Sequence, residues 1–142
     1  MFRLFALSLM ALMVTASPLL AKGDLSRKCK TLPELVLGTD DAGYKVSQST
    51  YEIETGQCYK LEIKSSGRKE YAMKGPKFFR NMWVRKIEAG GMEIKAAPID
   101  ELEFEDEAEC ELYFTMIVPG EYKFYAAGLE KKGTVVTFKV KK

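Results

Sequence analysis

Glu109-Cys110-Glu111-Leu112-Tyr113-Phe114-Thr115-Met116-Ile117-Val118, followed by Pro119-Gly120, is the stretch that decides the fold. Cys110, Leu112, Phe114, Met116 and Val118 share one parity. Glu109, Glu111, Tyr113 and Thr115 take the other. A period of two is the signature of a strand with one buried and one wet face, and Pro-Gly ends it in a turn. The same alternation recurs in both directions along the chain. Tyr59, Leu61 and Ile63 alternate with Lys60, Glu62 and Lys64. Leu102 and Phe104 alternate with Glu101, Glu103 and Glu105. Tyr122, Phe124 and Ala126 share a face, as do Val136, Phe138 and Val140. Glu34–Leu37 and Tyr51–Glu54 are shorter runs closed by Gly38 and Gly56. Many short strands with regular turn signals predict an all-β, antiparallel Greek-key sandwich. Phe78–Glu88 fits either a helical face or a strand, and is read as a strand with an irregular start at Gly75-Pro76.

The first residues differ in character. Arg3 precedes an apolar run from Leu4 to Val14, and Thr15, Ala16, Ser17 and Pro18 follow. That order is the positive, apolar and small-residue sequence of a secretory signal peptide. Cleavage is expected after Ala21, with Ala16 as the other site. The run is shorter than the roughly 20 residues of a membrane span, so none is expected once it is removed. The expected organisation is a leader over 1–21, an irregular segment over 22–33 and one domain over 34–142, in the periplasm or outside the cell. Without Arg3 the balance is 21 basic to 20 acidic side chains, which gives no basis for nucleic-acid binding.

The chain has no histidine and three cysteines, Cys29, Cys58 and Cys110. Parity puts Cys110 on an apolar face as a buried thiol, Cys58 on a polar face, and Cys29 in the lead-in. Cys29–Cys58 is therefore the expected disulfide. The lack of histidine removes the usual activator of a serine and the commonest transition-metal ligand, and the chain is expected not to be an enzyme.

Gly120-Glu121-Tyr122-Lys123-Phe124-Tyr125-Ala126, with Leu129, Gly133-Thr134 and the alternating run to Val140, resembles the last hairpin of the cupredoxins, the plastocyanin-like copper proteins. That family ends in a Gly-x-Tyr-x-Phe-Tyr-Cys strand, a histidine loop, Gly-Met and a final strand. By this resemblance Ala126 stands at the cysteine place, Leu129 at the second histidine and Thr134 at the axial methionine. The first histidine falls near Glu70 or Tyr71. Every usual ligand position is thus vacant, and a blue-copper site needs two imidazoles and a thiolate.

Three other groups are candidates. Met73 and Cys110 are alternative soft ligands for copper, with Met82, Met92 and Met116 also inside the domain. The acidic run from Asp100 to Glu111 offers carboxylates for a hard cation, but its alternation reads as the wet face of a strand and a charged hairpin tip. Phe78, Arg80, Trp83 and Arg85 mix aromatics with arginine, a composition favoured at docking surfaces. The expected function is that of an exported, non-catalytic, cupredoxin-like binding or assembly module without a cofactor, acting on a periplasmic protein or small ligand. The alternative is a copper-handling protein.

Overall fold

The computed structural model describes residues 28–95 and 98–142. The expected leader, and residues 22–27 of the expected lead-in, lie outside the described residues. Eleven strands are described: β1 Lys30–Thr31, β2 Leu35–Leu37, β3 Thr50–Glu54, β4 Cys58–Ser66, β5 Tyr71–Lys74, β6 Met82–Ala89, β7 Met92–Ile94, β8 Glu101–Phe104, β9 Glu107–Met116, β10 Gly120–Ala126 and β11 Val135–Lys141. A short helix α1, Pro76–Arg80, precedes β6, and a 3-10 turn, Glu130–Lys132, precedes β11.

The strands form two sheets. The first runs β1-β4-β9-β6-β7, with β2 also on β4; the second runs β3-β11-β10-β5-β8. The long β9 is central to the first sheet. It is antiparallel to β4, with Leu61 opposite Leu112 and Ile63 opposite Cys110. The two apolar faces meet in one core, where Leu35, Leu61, Ile63, Tyr71, Phe114, Phe124 and Phe138 are fully buried. Burying such a side chain is worth about 1.5–3 kcal/mol.

Four local expectations are corrected. First, the sheets are mixed: β1 and β2 run parallel to β4, and β3 runs parallel to β11. Second, Phe78 does not begin a strand. Pro76 has the backbone geometry of a first helical residue. Phe78 and Phe79, adjacent in sequence, are both buried; a strand would send them to opposite faces, whereas one helical turn turns both inward. A bulge between Val84 and Lys86 then resets the parity of β6, which is why Met82, Val84 and Ile87 share the core. Third, Glu105-Asp106 is not a hairpin tip, because β8 belongs to the second sheet and β9 to the first. Fourth, Cys58 is buried, not on a wet face; its sulfur is bonded to Cys29. That bond, foreseen in the sequence, holds the segment bearing β1 against β4.

Candidate functional site

One end of the sandwich gathers the close of β4, the starts of β5 and β9, and the connection from β10 to β11. The three positions marked by the last hairpin converge there. The Ala126 N–H donates to the Thr134 carbonyl at 3.0 Å, the Leu129 N–H to the Ala126 carbonyl at 3.0 Å, and the Thr134 N–H to the Leu129 carbonyl at 3.3 Å. The backbone thus forms a compact loop, and the side chains at Ala126, Leu129 and Thr134 are none of those that hold blue copper. Ala126 and Thr134 are fully buried, and Leu129 packs against the core. Thr134 Oγ1 donates to the Tyr44 carbonyl at 2.7 Å, so its hydroxyl closes a loop.

The place of the first histidine is equally committed. Glu70 is exposed. Tyr71 points inward, and its hydroxyl donates to the Gly43 carbonyl at 2.8 Å. The phenol lies against Gly38, where an added Cβ would come within 2.0 Å of the Tyr71 oxygen and the backbone has φ +77°. Only glycine accommodates both conditions. Met73 is fully buried opposite Ala126, but it is a lone thioether. Cys110 sits in the other sheet, between Ile63 and Ala89. Among the described residues no group of three histidine, cysteine or carboxylate donors converges. The residues of this pole do not fit a copper ion.

Burial pushes the Cys110 thiol up to about 11, because the apolar surroundings disfavour the thiolate. At pH 8 the folded protein should therefore resist iodoacetamide at Cys110, and urea should release one reactive thiol per chain. Rapid alkylation of the native protein, followed by mass spectrometry at Cys110, would contradict this.

Part of the acidic run, and two acids before it, pair with lysines on the sheets. Glu111 meets Lys60 at 2.6 Å and Glu101 meets Lys74 at 3.2 Å. Lys86 holds both Glu88 and Glu93. These are ion pairs of a solvated face, each worth about 0–1 kcal/mol.

The pole carries a feature with no sequence signal. Lys69 and Lys132 each place their ammonium 4.6 Å from the centre of the Tyr44 ring, and Lys132 Nζ donates to the Tyr44 hydroxyl at 3.1 Å. The hydrogen bond from Lys132, then that from Lys69, holds the phenol below its ordinary titration range. These residues come from three distant turns, so no spacing rule connects them.

The opposite end holds the aromatic–arginine candidates. Phe78 is corrected from docking residue to core, since it is fully buried. Arg80 is exposed at the close of α1. Arg85 is half-buried and donates to Cys29 Sγ at 3.6 Å. Trp83 remains 43% exposed, with Ile117 at 56% and Val118 at 42%. Trp83 lies opposite Thr115, two residues before Ile117. This end is remote from Glu70 because β5 and α1 carry the chain away from the pole to the start of β6.

No protein-family model matches the chain, and no curated protein sequence is similar to it. Solved structures are similar. A multicopper oxidase from Campylobacter jejuni, described as a metallo-oxidase, superposes on 82% of this chain with a TM-score of 0.59 and 12% identity. A laccase from Pediococcus acidilactici superposes on 92%, with a TM-score of 0.60 and 12% identity. A copper nitrite reductase from Nitrosomonas europaea superposes on 80%, with a TM-score of 0.59 and 10% identity. The chain spans 31% of each of the first two and 50% of the third. These proteins are enzymes, and that finding overturns the expectation that the chain is not an enzyme. No helix among the described residues is long and apolar enough to cross a membrane. At such low identity the likeness speaks to architecture, and the architecture of this chain is that of a cupredoxin-like domain.

Proposed function

We propose that this chain is an exported, periplasmic cupredoxin-like binding or assembly module that docks a protein partner through Trp83, Ile117 and Val118, with Arg80 beside them. The carrying observation is the exposure of three large apolar side chains at one end of a domain whose other large apolar residues are mostly buried. A tryptophan with an arginine close by is the composition of a binding hot spot. The leader pattern, Arg3 to Ala21, supports export.

The test is quantitative recovery of the periplasmic partner on immobilised protein. Trp83→Ala should lower recovery about tenfold or more, as removal of a hot spot of 2 kcal/mol or above does. Arg80→Ala should lower it less. Unchanged recovery with both variants would remove this surface from consideration, and a protein found only in the cytoplasmic fraction would remove the export half.

Copper handling is the second reading, favoured by the copper proteins among the structural neighbours. Metal analysis and Cu(I) and Cu(II) titration of the purified protein address it. Binding at micromolar concentration or tighter would support it, through ligands other than those of the usual pole.

A further inference from the structure

We infer that the pole around Tyr44 is an anion-binding site, taking a carboxylate or phosphate group between Lys69 and Lys132. Both ammonium groups lie 4.6 Å from one ring centre, so they are within twice that distance of each other. Like charges at such a separation repel, and the repulsion acts within the roughly 8–10 Å Debye length of ordinary buffers. Some lysines of the fold meet a carboxylate, among them Lys60, Lys64, Lys74, Lys86 and Lys141. No described carboxylate lies within ion-pair distance of Lys69 or Lys132, nor of their neighbours Arg68 and Lys131.

Asp40, in the same turn as Tyr44, is engaged by backbone donors. Asp40 Oδ1 accepts from the Tyr44 N–H at 2.6 Å and the Lys45 N–H at 2.7 Å. Arg68 donates to the Asp41 carbonyl, not to a carboxylate. The two ammonium groups are also positioned. Tyr44 is anchored through its carbonyl by the buried Thr134 hydroxyl, and its own hydroxyl receives Lys132. An anion entering here gains a charge-assisted contact with an ammonium group and relieves the repulsion. The position that the resemblance assigns to a metal ligand, Thr134, thereby supports a site of opposite preference, since a cation would meet the same two ammonium groups.

Isothermal titration at low salt with citrate, inorganic phosphate and a glutamate-rich peptide tests the site and ranks the sources of the anion. At least one probe should bind, more weakly as salt rises. Lys69→Gln with Lys132→Gln should reduce that affinity about tenfold or more. The Tyr44 phenol supplies an independent readout. Its ultraviolet titration, identified by its loss in Tyr44→Phe, should move to higher pH when the anion is bound, because the ligand offsets the two positive charges. Lys77→Gln, away from this pole, should leave both readouts unchanged. Absence of binding by all three probes, or equal affinity in the wild type and the double variant, would overturn the inference.

Discussion

Phe78→Ala should destabilise the domain by about 3–5 kcal/mol, the usual cost of deleting a fully buried phenylalanine. Phe78 stacks on Phe138 with ring centres 4.3 Å apart and an interplanar angle of 17°. It also meets Phe114 at 5.7 Å and Phe124 at 5.6 Å. Phe114 belongs to the first sheet, and Phe124 and Phe138 to the second. One helical side chain therefore joins both layers, and its loss leaves a cavity that neither sheet can fill alone. Urea unfolding should show the midpoint falling by more than 1 M, with a slope of about 1–3 kcal/mol per molar. Phe78→Leu, which keeps most of the volume, should cost less and keep the effect measurable if the alanine variant does not fold. A shift below 0.5 M for Phe78→Ala would mean that the ring is not part of the common core.

Removal of the Cys29–Cys58 bond is the second large effect. The two cysteines are 29 residues apart. Loop-closure entropy for such a ring corresponds to about 3–4 kcal/mol. The Cys29→Ser, Cys58→Ser variant should lose that amount in urea unfolding, and wild-type protein in reductant should match it. The buried Cys110 thiol should not rescue the bond, because Cys110 lies within the first sheet beside Ile63 and Ala89. An identical midpoint with and without reductant would show that the staple contributes nothing to stability.

The strands at Tyr59–Lys64, Glu109–Met116 and Val136–Val140 were legible because each has one wet face and one dry face, and period two records that directly. Partners and directions were not legible. Alternation reports which face a residue takes, not which strand lies beside it, so the parallel pairings of β1, β2 and β3 left no trace. Helix α1 was missed because five residues span less than two turns and set up no recurring stripe. The bulge at Val84–Lys86 concealed the parity of β6 for the same local reason. At the pole, the resemblance to the cupredoxin hairpin marked Ala126, Leu129 and Thr134 together, since all three belong to one hairpin. Tyr44, Lys69 and Lys132 meet only through tertiary structure. Phe78 was misassigned because composition marks an aromatic–arginine mixture without telling which aromatic faces in.

The position of β11 constrains the order in which the domain can form. β11 lies between β10, its neighbour in sequence, and β3, from which most of the described chain separates it. The second sheet therefore remains divided until the last strand is available. High mean separation between contacting residues slows folding, and an incomplete sheet leaves strand edges open to other chains. During synthesis, β3 must wait with an unpaired edge while β4 to β10 are made. The closing hairpin thus joins the two parts of this sheet, and substitutions there should affect yield and aggregation before they affect the finished molecule.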